Sequence, residues 1–134
     1  NSGNDGIDFM ESTGTVKNSY IDNSGDKGIS IGENSNIYIE DTYFKNNKTA
    51  IAIKDRSNSK VKKSEFTNNS VHISAYPKNW RYGGGGNIKI LNSKFISEKQ
   101  NIFEEFQKSS IILENPIFVG EKSFLEKKTT VSKK

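Results

Sequence analysis

The sequence predicts an all-β solenoid, a fold in which short strands stack as successive coils, and three observations support this. The segment 39–47 returns at 61–69 and again at 90–98, which defines a repeat of about 22 residues. Apolar and polar residues alternate in short β-branched runs such as 29–31 and 51–53, as they do in half-buried strands. No stretch with the helical period separates these runs, so a helix-bearing repeat is excluded. A short repeat of this kind indicates supersecondary units that stack on one another.

Each repeat divides into three short strands joined by turns. The first strand of each coil is apolar at alternate positions, in segments 7–9, 29–31, 51–53, 71–73 and 102–103. The second strand has one strong apolar position per coil: Val16, Ile39, Val61, Ile90 and Ile112. The third strand has another: Ile21, Phe44, Phe66, Phe95 and Ile117. Three strands per coil match a right-handed single-stranded parallel β-helix of about five coils, in which the third set forms one internal column.

Polar residues recur in the turn after the third strand. They lie two residues after the column positions, at Asn23, Asn46, Asn68 and Ser97. Asparagine tolerates the left-handed backbone conformation, and stacked asparagines can hydrogen-bond to one another as a ladder. Segments 47–49 and 68–70 also fit the N-glycosylation sequon. A ladder explains both segments without glycosylation, so we expect a ladder.

We divide the chain into a β-helix domain at residues 1–119 and a C-terminal cap and polar tail at 120–134. The open end of a parallel stack exposes strand edges, which natural proteins cover or charge. Phe124 and Leu125 are therefore predicted to fold over the last coil, while Lys127 and Lys128 keep this end soluble. The chain begins within a repeat, so we expect the N-terminal end to continue into further sequence or to pair with another chain.

The composition limits the classes of site and partner. Only 31% of the residues are hydrophobic, which suits either disorder or a narrow solenoid core, and the alternation favours the core. With no cysteine and one histidine, no disulfide, metal site or cofactor is predicted. Much of the net charge of +4 lies in C-terminal lysines, without a basic face bearing base-stacking aromatics, so no nucleic-acid partner is expected. No apolar run is long enough to span a membrane.

Two segments and the Asn-Ser-x-Phe strands resemble a known family. Residues 28–35 (GISIGENS) and 50–55 (AIAIKD) are similar to the repeats of pectin-lyase-like parallel β-helix proteins, and the resemblance covers about residues 4–119. Residues 25–33 also resemble the β-helical segment attached to some CotH-like bacterial surface proteins. The resemblance implies the fold and leaves the activity open, because the superfamily contains lyases, hydrolases, epimerases and non-catalytic stalks. Most of its enzymes have longer helices than this chain can form.

The fourth coil departs from the repeat by about seven extra residues within segment 75–87. Loops on a rigid scaffold are common places for function, and this one contains the only tryptophan. We predict a ligand site formed by Tyr76, Trp80, Arg81 and Tyr82, because aromatic faces beside cationic donors suit a sugar ring or a uronate carboxylate. The alternative is a hydrophobic flap that buries Trp80 against the side of the helix.

His72 and the triplet 54–56 (KDR) are weaker candidates. His72 alternates with Val71 and Ile73, so we expect it to point outward. The resemblance implies a role for Lys54 and Arg56, since lyases of the superfamily use a basic residue to abstract a proton beside a uronate whose charge cations neutralise. The same triplet also suits an ordinary polar turn.

Two functions remain open from the sequence. The first is a non-catalytic β-helix module of a larger bacterial surface or secreted protein, structural or carbohydrate-contacting, located outside the cell. Its partners would be a polysaccharide or further copies stacked end to end through open coil ends. The second is a polysaccharide lyase or epimerase that acts on uronate-containing glycans. The short stack and the lack of a convergent acid–base set favour the first, so no catalytic residue is predicted.

Overall fold

The protein is a parallel β-solenoid, seen here in a computed structural model that describes residues 6–120 and the backbone of residues 123–128. Strands are numbered in chain order. Sheet A contains, in spatial order, β1 (Ile7–Met10), β4 (Lys27–Gly32), β7 (Thr49–Lys54), β10 (Val71–Tyr76), β13 (Asn101–Phe106) and β16 (Ser123–Lys128). Sheet B contains β14 (Ser110–Glu114), β11 (Asn87–Leu91), β8 (Asn58–Lys62), β5 (Asn36–Glu40) and β2 (Thr13–Lys17). Sheet C contains β15 (Ile117–Gly120), β12 (Lys94–Ser97), β9 (Glu65–Thr67), β6 (Tyr43–Lys45) and β3 (Tyr20–Asp22).

Every paired strand runs parallel to its neighbours, and successive coils contribute one strand to each sheet. The predicted all-β solenoid of about five coils is therefore confirmed. Alternation explains the strands, because β-branched and aromatic residues turn into the narrow core while the intervening polar residues face solvent. The described residues contain no α-helix and only a short 3₁₀ turn at Trp80–Tyr82.

The core contains a stack of phenylalanine rings along the helix axis. Phe44 and Phe66 have ring centroids 4.7 Å apart, and Phe66 and Phe95 are 5.0 Å apart. Phe118 continues the stack at 5.6 Å from Phe95. The strand register places Ile21 opposite Phe44 at the other end. The predicted internal column is thus confirmed at four of its positions.

The fifth coil was predicted one residue out of register. Phe118, not Ile117, pairs with Phe95, and Leu113, not Ile112, pairs with Ile90. The side chains of Ile117 and Ile112 are 54% and 49% exposed. Alternation fails to select the inward residue here, because segments 111–113 and 117–119 are apolar at every position. The backbone hydrogen bonds to the strands of the fourth coil determine the register instead.

The turn asparagines adopt the left-handed conformation, as predicted: φ is 55° at Asn23, 57° at Asn46 and 50° at Asn68. The hydrogen-bonded ladder, however, lies one residue later. The Oδ1 atom of Asn69 accepts hydrogen bonds from the backbone and side-chain nitrogens of Asn47, at 2.9 and 3.0 Å. Both amides are buried, so Asn47 is unsuited to glycosylation, and the pair satisfies backbone groups inside the turn.

At the C-terminal end, β16 pairs in parallel with β13 and starts a sixth rung of sheet A. The predicted cap falls on this segment. The side chains of Phe124 and Leu125 lie outside the described residues, so their packing over the last coil stays a prediction.

Candidate ligand-binding site

The fourth coil contains the extra residues within segment 75–87, called here the insert, and a buried aspartate anchors it. Asp55 lies in a left-handed turn (φ 53°) after β7 and is buried. Its Oδ1 atom accepts hydrogen bonds from the backbone N–H groups of Lys78 and Asn79, at 2.7 and 2.8 Å. Hydrogen bonds to a carboxylate are stronger than those between neutral groups. Asp55 therefore holds the start of the insert against the third coil.

Trp80 is presented on a fixed turn. The side chain of Asn79 accepts the backbone N–H of Arg81 at 3.1 Å, and Gly83, at φ 71°, closes the 3₁₀ turn by donating to the Trp80 carbonyl at 3.1 Å. The Trp80 side chain is 84% exposed, and the Cζ atom of Arg81 lies 5.9 Å from its ring centre. The alternative of a flap that buries Trp80 is wrong, because backbone hydrogen bonds rather than indole packing hold the turn.

The other two predicted residues contact different elements. The Tyr82 hydroxyl donates a hydrogen bond of 3.3 Å to Glu11 Oε2, so the insert extends back to the first coil. The Tyr76 ring is half-buried and packs edge-on against Phe106, with centroids 6.0 Å apart. Trp80 and Arg81 are thus brought together. Tyr76 and Tyr82 instead tie the insert to Phe106 and to Glu11.

The return of the insert requires glycine at two positions. Gly85 lies between Arg56 and Lys108 in the stacked turns: it accepts the Arg56 N–H at 2.7 Å and donates to the Lys108 carbonyl at 2.9 Å. A Cβ at Gly85 would overlap the Ser109 hydroxyl, and one at Gly86 would overlap the carbonyl oxygen of Ile53. The close backbone approach explains why glycines fill this segment.

A polar cleft of about 430 Å³ lies between this glycine return and the outer face of sheet B. Two cations, four asparagines and two glycines line it: Arg56, Lys108, Asn34, Asn36, Asn58, Asn87, Gly84 and Gly85. Sequence reasoning missed this cleft because its residues come from four coils. Three of the asparagines nevertheless share one sequence signal, since Asn36, Asn58 and Asn87 begin successive strands of sheet B in register.

The cleft continues into a shallow groove of about 530 Å³ along sheet B. The groove shares the three asparagines and adds the side chains of Tyr38, Lys60 and Lys89. Lys89 forms an ion pair with Glu114 at 3.0 Å. Lys60 has no ion-pair partner within residues 6–120.

The comparison with protein families gives the class of this fold. The family described as right-handed β-helix region matches residues 1–126. The chain belongs to this family. The match confirms the handedness predicted from the repeat and covers the insert as well as the regular coils. Comparison with curated proteins and with solved structures gives no match.

His72 lies inside the right-handed β-helix, so its predicted outward orientation is wrong. Its side chain is fully buried, with ring centroids 5.5 Å from Phe95 and 5.7 Å from Phe103. In the pairing of β10 with β7, residue 71 pairs with residue 49 and residue 73 with residue 51, whereas residue 72 has no partner. A straight strand would alternate through this position, whereas here the chain enters sheet A from a turn and two successive residues face the core.

Two amide side chains satisfy the imidazole of His72. The Nδ2 group of Asn69 donates to Nδ1 at 3.2 Å, and Nε2 donates to Asn101 Oδ1 at 2.9 Å, which fixes the neutral tautomer. Burial lowers the pKa of His72 from 6.5 to about 4, and the hydrogen bond with Asn101 offsets this in part. His72 is therefore a neutral core residue and has no access to a ligand.

Lys54 and Arg56 lie on different faces of the right-handed β-helix. The stem of Lys54 covers Gly32 on the outer face of sheet A, where a Cβ at Gly32 would lie 2.6 Å from Lys54 Cε. Burial lowers the pKa of Lys54, and the positive charges of Lys78 and Lys27 lower it further. Arg56 instead lines the cleft beside sheet B. The structure does not bring these two residues and His72 into one site.

Residues 6–120 contain no cluster of three or more His, Cys, Asp or Glu side chains that could hold a metal ion. No helix among them has the length and apolar character needed to cross a membrane.

Proposed function

We propose that this right-handed β-helix is a non-catalytic module of a larger bacterial surface or secreted protein and contacts carbohydrate through its insert. The observation that carries the proposal is the exposed indole of Trp80 on a turn with a fixed backbone. A rigid, exposed aromatic face can stack on the apolar face of a sugar ring. The adjacent Arg81 guanidinium supplies a planar set of donors for hydroxyl or carboxylate oxygens.

One further point supports a binding role without catalysis, and another supports a location outside the cell. The candidate acid–base groups within residues 6–120 do not converge, because His72 is in the core while Lys54 and Arg56 lie on separate faces. The location rests on the resemblance of residues 25–33 to a segment of bacterial surface proteins. The stacked coils then serve as a rigid support for the insert.

Replacing Trp80 with alanine should lower affinity for glycans that bind the wild-type chain on an array by at least about tenfold, since exposed aromatic anchors commonly dominate binding. The midpoint of urea unfolding should stay unchanged, because the indole buries little surface. Affinity is measured by titration calorimetry and folding by circular dichroism. Tyr20→Ala is the matched control, since Tyr20 is also largely exposed but lies on sheet C.

Two results would count against the proposal. Equal loss of affinity in the Trp80 and Tyr20 variants would show that the insert is not the site. A wild-type chain that binds no glycan on the array would remove the carbohydrate function altogether.

A second candidate function is a lyase or epimerase that acts on uronate-containing glycans. The lowered pKa of Lys54 favours it, because a lowered pKa leaves more of the amine unprotonated and able to accept a proton near neutral pH. A lyase would release unsaturated uronate products from polygalacturonate, detected by their ultraviolet absorbance. The activity should disappear in Lys54→Gln and persist in the control Lys45→Gln on sheet C. If the wild-type chain releases no such product, lyase activity on this polymer is ruled out.

A further inference from the structure

We propose that the cleft between the insert and sheet B binds the carboxylate or sulfate groups of an anionic polysaccharide. This inference rests on the proposed carbohydrate-binding function and specifies its ligand class. The cleft is separate from the Trp80 face of the insert. It is formed by the turns before sheet B and by the first residues of its strands.

The charge of the cleft is one-sided. Arg56 and Lys108 stand at either side of Gly85 in the stacked turns, two rungs or about 10 Å apart along the axis. Neither has an ion-pair partner in the described part of the chain, and no carboxylate is among the residues that line the cleft. Between the two cations, the glycine return lines the cleft with backbone alone, at Gly84 and Gly85. An anion in this space would meet two cations and no carboxylate of the lining.

The asparagines that line the cleft add hydrogen-bond donors to it. The Oδ1 atom of Asn87 accepts a hydrogen bond from the Ser110 hydroxyl at 2.9 Å, which directs its amide NH₂ group away from Ser110. The Asn36 side chain makes no hydrogen bond within the described residues and is exposed. Amide donors beside a guanidinium suit ligand oxygens that only accept hydrogen bonds, as in carboxylates and sulfates.

The shape of this surface favours a polymer over a single sugar. The cleft opens into the groove of sheet B through the shared column Asn36, Asn58 and Asn87, whose rungs repeat at about 4.8 Å. Lys60 provides a further cation within the groove. A chain with regularly spaced anionic groups can therefore contact Arg56 or Lys108 in the cleft and Lys60 beyond it.

The test compares the double variant Arg56→Asn/Lys108→Asn with the wild-type chain. Arg56 and Lys108 both have left-handed backbones, with φ 64° and 58°. Asparagine suits such positions, and Asn34 has φ 60° in the equivalent turn of the second coil. The probes are an oligogalacturonate, a sulfated dextran, an unmodified dextran of equal length and a single-stranded oligonucleotide of equal charge. Lys45→Gln/Lys94→Gln, which removes two exposed charges from sheet C, is the control for net charge.

We expect the wild-type chain to bind at least one of the two anionic glycans more tightly than the unmodified dextran, with an affinity that falls as salt rises. The cleft variant should lose at least about tenfold in that affinity, as expected for lost charge-assisted hydrogen bonds. The control variant should stay within about twofold. The relative affinities for oligogalacturonate and sulfated dextran distinguish the carboxylate from the sulfate.

Four outcomes would overturn the inference. Equal losses in the cleft and control variants would show only a general charge effect. Tightest binding of the oligonucleotide, with the same dependence on Arg56 and Lys108, would make the cleft a nucleic-acid site. Binding of glycans without preference for charge would leave the proposed function standing and remove this inference, whereas no binding of any glycan would remove both.

Discussion

Replacing Phe66 with alanine is expected to lower the free energy of unfolding by about 3–5 kcal/mol, the range for truncation of a large buried aromatic residue. Phe66 is fully buried at the centre of the ring column, between Phe44 and Phe95. It also contacts the edge of His72, with ring centroids 6.0 Å apart. The neighbouring rings belong to strands held by parallel ladders, so the coils cannot close the cavity by moving together.

The measurement is urea unfolding followed by circular dichroism, for the wild-type and variant chains. Tyr43→Ala is the matched control: Tyr43 precedes Phe44 on β6 but points outward and is about half exposed. We expect the control to lose less than about 1 kcal/mol, as surface substitutions usually do. A loss of the same small size in Phe66→Ala would contradict the central position of this ring in the core.

The regular coils could be predicted because two independent periods agree there. The repeat places Ile39 above Val61 and Phe44 above Phe66, and the alternation within each strand turns the same residues inward. In the fifth coil the alternation between apolar and polar residues is missing. Ile117, Phe118 and Val119 are all apolar, so only the hydrogen-bonded register could select the inward residue.

His72 shows a second limit of pattern reasoning. The period of two applies to a straight strand, and His72 lies at the corner where the chain enters sheet A. Its partners Asn69 and Asn101 are close in space but come from a turn and from the next strand of the sheet. No local pattern in the sequence relates these three residues.

Only part of the candidate site could be predicted from the sequence, because much of it depends on contacts between coils. The insert was recognised because it interrupts the repeat, but the exposure of Trp80 depends on backbone hydrogen bonds to Asp55, which composition does not reveal. The cleft depends on the stacking of Arg56, Gly85 and Lys108 across three coils. These three residues can be aligned from the sequence only after the extra residues of the insert have been placed in the turn before β11.

Acidification should destabilise the protein between about pH 6.5 and pH 4, and His72 should account for a distinct part of the loss. Burial among phenylalanine rings keeps the folded-state pKa of His72 at about 4, against 6.5 for an imidazole exposed to water. Protonation at Nδ1 would also set a new N–H against the NH₂ group of Asn69. The Oδ1 atom of Asn69 already accepts from Asn47, so the amide cannot turn over without breaking the ladder.

The sign follows from proton binding in the two states. Above pH 6.5 the imidazole is neutral in both the folded and the unfolded state, and the contribution of neutral His72 to stability is fully present. As the pH falls from 6.5 towards 4, the unfolded chain binds a proton that the folded chain does not, so the free energy of unfolding decreases. The free energy of unfolding decreases by about 1.4 kcal/mol for each pH unit between the two pKa values, which gives a total loss of about 3 kcal/mol.

The experiment measures urea unfolding from pH 7.5 to pH 4 for the wild-type chain and for His72→Gln. Aspartates and glutamates titrate in both chains, so the difference between the two pH profiles isolates the imidazole. We expect the wild-type profile to fall more steeply, with the excess loss reaching about 3 kcal/mol near pH 4. An NMR titration of the wild-type imidazole tests the same point if the variant fails to fold. A midpoint near pH 6.5 would show that His72 is open to solvent and would contradict its enclosure in the core.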